Sequence, residues 1–156
     1  MIIRAMCKYG NQFMLLNIDN KNGDVSVVGV TNIYTTNDIY VSLEATKILE
    51  GRALENGEFK FDLFSLDTDT VVINDLTNDA TGKINFVLEF DKVGTYNYKL
   101  YEDEVNANGV TVDTTQYDVT VIVGHDGEGN LTATVNGVAY NGTPINLQLP
   151  KNLWLA

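Results

Sequence analysis

Apolar residues recur at every second position along most of this chain, and each run ends at a polar turn. Ile39, Val41, Leu43, Ala45, Lys47 and Leu49 share one face of an extended strand. Phe59, Phe61 and Leu63 share a second face, and Ile84, Phe86, Leu88 and Phe90 a third. Tyr96, Tyr98, Leu100 and Glu102 line up next, then Tyr117, Val119, Val121 and Val123, then Leu131, Ala133 and Val135. Between the runs stand Asn22-Gly23-Asp24, Asn56-Gly57-Glu58, Thr81-Gly82-Lys83, Val93-Gly94-Thr95, Asn108-Gly109, Asp126-Gly127, Asn136-Gly137 and Asn141-Gly142. Glycine and asparagine tolerate the positive φ that tight hairpin turns demand. One apolar face per strand, with frequent turns, predicts an all-β fold of two packed sheets. Leu43–Leu54 is the only stretch with room for a helical turn.

Two charged residues interrupt the apolar faces. Lys47 falls in line with Ala45 and Leu49, and Glu102 with Tyr98 and Leu100. A charge on a core face must be paired or neutralised, because desolvating it alone costs about several kcal/mol. From the pattern alone, each residue has an ordinary alternative: an edge lysine that snorkels to water, and a strand-end carboxylate facing solvent beside Asp103 and Glu104.

The 156 residues suffice for one domain with a core. Twenty-one acidic against ten basic residues give a net charge of −11. That field repels phosphate backbones and anionic lipid surfaces, so neither nucleic acid nor membrane is an expected partner. Cys7 and His125 are the only residues of their kinds, so an intrachain disulfide and a Cys/His zinc cluster are excluded. His125 lies in a Gly-Asp-rich turn and reads as an exposed turn residue. No apolar run is long enough for a membrane-spanning helix, and the first residues lack a signal-peptide core.

A faint repeat is present. Leu15-Leu16-Asn17-Ile18-Asp19-Asn20-Lys21-Asn22-Gly23-Asp24-Val25 matches Val121-Ile122-Val123-Gly124-His125-Asp126-Gly127-Glu128-Gly129-Asn130-Leu131 in character. Residues 1–36 are therefore expected to be the closing hairpin of a preceding copy. Residues 37–156 would form the main unit, irregular after about 149.

Four stretches, in order, carry a family resemblance. They are Leu43-Glu44-Ala45-Thr46-Lys47-Ile48-Leu49-Glu50-Gly51 with Gly57-Glu58-Phe59-Lys60-Phe61; Thr77-Asn78-Asp79-Ala80-Thr81-Gly82-Lys83-Ile84-Asn85-Phe86; Gly94-Thr95-Tyr96-Asn97-Tyr98-Lys99-Leu100-Tyr101-Glu102; and Gly109-Val110-Thr111-Val112 running on to Tyr117-Asp118-Val119-Thr120-Val121. Together they resemble the Gram-positive pilin isopeptide-linkage domain, a repeat of streptococcal-type pilins and surface adhesins. The resemblance implies an immunoglobulin-like β-sandwich in which a first-strand lysine bonds to a last-strand asparagine, promoted by a core glutamate. It assigns the lysine to Lys47 and the glutamate to Glu102. Burial favours the neutral amine that can attack and the neutral acid that can donate. Such a bond forms once per molecule, which is self-modification and not turnover, so the chain is not expected to be an enzyme.

The asparagine is where the match breaks. The family's last strand reads roughly aromatic-x-Asn-x-Tyr, and the chain's end, Pro144 to Ala156, has no such motif. Asn146 and Asn152 are present, but strict alternation sets both with Gln148 and Pro150, away from Leu147 and Leu149. A similar motif stands earlier, at Val30-Thr31-Asn32-Ile33-Tyr34. Asn32 is thus a neighbour-type partner and Asn152 the same-unit alternative.

The resemblance implies an extracellular, cell wall-associated module that meets neighbouring repeats or pilin subunits, with no cofactor and no metal. The alternative is a calcium-dependent adhesion or carbohydrate-binding module. Asp19 to Asp24 and Asp67-Thr68-Asp69 are oxygen-rich, and Tyr40, Tyr101 and Trp154 are candidate sugar platforms. A host or glycan ligand is not identified by any of these residues.

Overall fold

The structure is a computed structural model. It describes residues 36–103, 110 and 114–147 with their side chains, and the strand paths of 2–9, 12–21, 24–34 and 151–153. The described residues are all strand, turn and loop. Strands β1 (Ile2–Tyr9), β2 (Gln12–Lys21) and β3 (Asp24–Tyr34) form an antiparallel three-stranded sheet of their own.

The rest is a two-layer sandwich. One layer joins β4 (Ile39–Thr46), β8 (Lys83–Phe90) and β13 (Ile145–Leu147) in the order β13-β4-β8. The other contains β6 (Lys60–Ser65), β7 (Thr70–Thr77), β9 (Gly94–Glu102), β10 (Tyr117–His125), β11 (Leu131–Val135) and β12 (Val138–Ala139). Its order is β12-β11-β10-β9-β6-β7. Short strands β5 (Ile48–Glu50) and β14 (Lys151–Leu153) pair with each other.

The alternating faces close on one another as the pattern predicts. Val41, Leu43, Ala45, Ile84, Phe86, Leu88 and Phe90 of the small layer pack on Phe61, Leu63, Tyr98, Leu100, Val119, Val121, Val123, Leu131, Ala133 and Val135 of the large one. Fully burying each large apolar side chain is worth roughly 1.5–3 kcal/mol, so this double row dominates the stability. Leu43–Leu54 holds no helical turn: β4 and β5 carry 43–46 and 48–50 in extended form, and 51–54 are loop. Leu43, Ala45 and Lys47 are buried and Leu49 half-buried on one side, which only a strand path achieves.

The last strands run parallel to the first. β13 pairs with β4 through Ile145↔Leu43 and Leu147↔Ala45, and β14 with β5 through Lys151↔Ile48 and Leu153↔Glu50. From Ala45 to Ile48 is three steps, whereas from Leu147 to Lys151 is four. The β14–β5 register is therefore offset by one residue from the β13–β4 register.

A buried lysine-glutamate pair at the strand break

Lys47 sits where β4 stops and β5 begins. The β4–β8 ladder ends at Thr46↔Lys83, and the Lys47 N–H instead donates to the Gly82 carbonyl at 2.7 Å. Gly82 has φ +88°, and a Cβ there would overlap the Lys47 carbonyl oxygen. Only glycine gives both that dihedral and that approach. Asp79 fixes the turn by accepting from Thr81 N–H, Thr81 Oγ1 and Lys83 N–H at 2.7–2.9 Å. These bonds, the Thr81 hydroxyl foremost, hold the Asp79 carboxyl below the usual range.

The alternation that buries Ala45 carries the Lys47 side chain inward, leaving it 2% exposed. Its Nζ lies 4.0 Å from the centre of the Phe59 ring and 5.9 Å from that of Phe61. The negative ring faces attract the cation. Glu102, the last residue of β9, stands opposite Phe61 in the β6–β9 register. That register brings its carboxylate, 4% exposed, onto the Lys47 ammonium, which donates a hydrogen bond to Oε2. The two strand-face anomalies of the sequence thus meet each other across the sandwich.

A second carboxylate lies nearby. Glu58 accepts from Arg52 Nη1 at 3.1 Å and from Glu55 N–H at 3.0 Å, and Arg52 Nη2 completes a two-pronged pair. The Arg52 bond, then that of Glu55 and the charges of Arg52 and Lys47, hold the Glu58 carboxyl below its ordinary value against the opposing effect of burial. Asn78 is also buried, at 1% exposure. Its Oδ1 accepts Phe59 N–H at 2.8 Å, and its Nδ2 donates to the Glu55 and Asp79 carbonyls, each at 2.8 Å. Every polar group of that carboxamide is engaged, so Asn78 clamps Phe59, the residue that leads into β6. Sequence alternation reveals neither Glu58 nor Asn78, because their partners are loop groups outside any periodic face.

Asn152 stands opposite Leu49 in the β14–β5 register. That offset sets its register position in line with Leu49 and Lys47, where strict alternation would set it with Asn146. Asn146 is exposed and stands opposite Glu44. Asn32 stands opposite Met14 in the separate β1-β2-β3 sheet.

Residues 43–146 match the model of the Spy0128-like isopeptide containing domain, FctA. The chain belongs to this family. FctA domains are pilin-type structural domains, and this one is an all-β sandwich of that kind. Among solved structures, the major pilin subunit BcpA of Bacillus cereus aligns at 21% identity and a TM-score of 0.45, over 73% of this chain and 29% of that one. An aspartate-to-alanine form of the same subunit aligns at 20% and 0.44, over 73% and 29%. The chain therefore spans under a third of that pilin's length. Comparison with curated proteins gave no match.

The other sequence candidates of this FctA domain scatter. Asp67 Oδ2 accepts the Asn97 N–H at 2.8 Å, which ties the β6–β7 turn to β9. Among the described residues no three acidic, histidine or cysteine side chains converge on a metal-sized site. The Asp19–Asp24 loop and Trp154 lie outside the residues with described side chains. Tyr40 belongs to the small layer, where it donates to Glu89 at 2.8 Å, and Tyr101 to the large one. They form no shared platform. His125 ends β10, beside a turn that Asp126 holds through Glu128 N–H and Asn130. Among the described residues no helix is long and apolar enough to cross a membrane.

Proposed function

We propose that this domain is a load-bearing module of a Gram-positive surface pilin or adhesin, stapled by a self-catalysed Lys47–Asn152 isopeptide bond that Glu102 promotes. Residues 37–156 are the unit, and residues 1–36, whose three strands form a sheet of their own, the tail of a preceding one. The observation that carries this reading is the buried Lys47–Glu102 pair set against Phe59. Its surface partners are neighbouring repeats or pilin subunits.

The chemistry needs no external reagent. One proton passes from Lys47 Nζ to Glu102, leaving the neutral amine and the neutral acid together. In apolar surroundings the neutral pair competes with the ion pair, because both charges have lost their water. The amine attacks the Asn152 side-chain carbonyl carbon, and Glu102 shuttles a proton from the nitrogen that attacks to the nitrogen that leaves. Ammonia departs and an amide remains. Holding the three groups together replaces an encounter in solution. The register of β14 with β5 favours Asn152 over Asn32, which lies in another sheet.

Intact mass and peptide mapping test this proposal. The expected result is a chain lighter by one ammonia, with a branched peptide joining Lys47 to Asn152, and full mass in Glu102→Gln. A wild-type chain of unmodified mass overturns the proposal. A bond to Asn32 of another molecule overturns the choice of asparagine.

A further inference from the structure

Three Asn-Gly pairs lie among the described residues, and their surroundings differ. In Asn56-Gly57 the Gly57 N–H is committed to the carbonyl of buried Asn78 at 2.8 Å. In Asn136-Gly137 the carboxamide is held from both ends. Asn136 Oδ1 accepts Thr120 N–H at 2.8 Å and its Nδ2 donates to the Asp118 carbonyl at 3.3 Å. Asn141-Gly142 is bound in another way. Asn141 Oδ1 accepts two hydrogen bonds, from Thr143 N–H at 3.1 Å and from Thr143 Oγ1 at 2.6 Å. The Gly142 N–H makes no hydrogen bond to a described residue. Gly142 has φ +93° and open space where a side chain would stand, and both residues are exposed.

We infer that Asn141-Gly142 is a self-modification site, at which the Gly142 backbone nitrogen cyclises onto the Asn141 side chain. Base in solution removes the Gly142 amide proton, and that nitrogen forms a bond to Asn141 Cγ. The Cγ–Nδ2 bond breaks, the amino group takes a proton from water and leaves as ammonia, and a five-membered succinimide remains. Water then opens the ring at either carbonyl, giving aspartate or isoaspartate at residue 141. The two Thr143 donors stand on the oxygen that gains charge as Cγ becomes tetrahedral, which is where hydrogen bonds lower a barrier. The N–H of residue 142, unbonded among the described residues, and its missing side chain leave the nucleophile open to them. At Asn56 the nucleophile is occupied, and at Asn136 turning the carboxamide toward residue 137 requires two hydrogen bonds to break.

The succinimide is also lighter by one ammonia, the same change as an isopeptide bond. Intact mass alone therefore cannot separate the two events in this protein, whereas their chemistry can. The imide opens in mild base and the isopeptide bond does not. This inference is independent of the Lys47 reading, since neither Lys47 nor Glu102 takes part.

Ageing the whole chain in mildly alkaline buffer tests it. Peptide mapping and labelling by an isoaspartyl methyltransferase read the products at each Asn-Gly pair. Residue 141 is expected to convert at least about tenfold faster than residues 56 and 136, the factor that one held hydrogen bond is worth. Asn141→Gln removes that signal, and Thr143→Val slows conversion several-fold. Conversion at residue 136 or 56 that matches or precedes residue 141 overturns the inference. So does a Thr143→Val chain that reacts at the wild-type rate.

Discussion

The backbone of Gly82 fixes the backbone of Lys47: the Lys47 N–H donates to its carbonyl at 2.7 Å, and the lysine's own carbonyl oxygen fills the space where a Cβ would sit. Gly82→Ala must therefore either move the lysine or open the turn. The left-handed dihedral alone costs about 1–2 kcal/mol with a side chain present, and the overlap adds to it. The expected outcome is a lower denaturant midpoint and a slower approach to the cross-linked mass. An alanine chain that matches the wild type in both would show that this turn does not position Lys47.

Removing one member of the buried pair breaks it for the other. Glu102→Ala is expected to cost about 3–5 kcal/mol, because it removes the carboxylate that accepts the buried Lys47 hydrogen bond. Replacing both, as Lys47→Met with Glu102→Leu, avoids that penalty and unfolds at a higher denaturant concentration than the single variant. Urea titration of the three chains checks the order. Equal midpoints for the single and double variants would contradict it.

Asn78 accepts the buried Phe59 N–H. Asn78→Ala leaves that donor unpaired, at a cost of about 1–3 kcal/mol, and frees the loop residue Phe59 that leads into β6. A chemical denaturation curve measures the loss. A change of a few tenths of a kcal/mol would mean that water replaces the carboxamide without penalty.

The acid limb of stability tests the Arg52–Glu58 pair. Hydrogen bonding by Arg52, foremost, holds Glu58 below its ordinary value of 4.5 in the folded chain. A depressed carboxyl stabilises the fold above its unfolded value, and that contribution disappears as pH falls through the folded one. Arg52→Gln should therefore flatten the dependence of the unfolding midpoint below about pH 4.5 and leave its slope near neutrality unchanged. A variant with an unchanged acid limb would show that the pair does not couple to folding.

At the other end of the scale, Tyr98 is pushed from 10.0 up to about 12, mainly by burial and then by the charge of Asp67. The folded chain holds the neutral phenol more tightly than the unfolded chain does. Its stabilisation is complete below pH 10 and fades between there and about 12. Tyr98→Phe should lose less stability than the wild type across that interval, as followed by circular dichroism. Equal losses would assign the alkaline limb to other groups.

The sequence made much of this legible where side chains alternate against a core. β4, β8, β10 and β11 show the buried and exposed positions their patterns predict, and the same count set Lys47 and Glu102 inward. β7 escaped because it is an edge strand with no buried residue. Only Ile73 and Leu76 are half-covered, and Asp75 breaks the alternation at φ +55°. Asp62 is buried on β6 next to Phe61 and Leu63, so polarity there does not mark the outer face. Alternation assumes an unbroken strand, and the one-residue offset between the β13–β4 and β14–β5 registers reverses its assignment at Asn152.

The parallel pairing of β13 and β14 with β4 and β5 fixes how the sandwich answers a pull. Tension applied at Ile39 and at Leu153 draws two side-by-side strands past each other lengthwise, so their hydrogen bonds resist as a set in shear. An antiparallel hairpin pulled from its open end would give way one rung at a time. In this arrangement a pull between those two points meets the paired rungs of β4–β13 and β5–β14 together before any one of them can open alone.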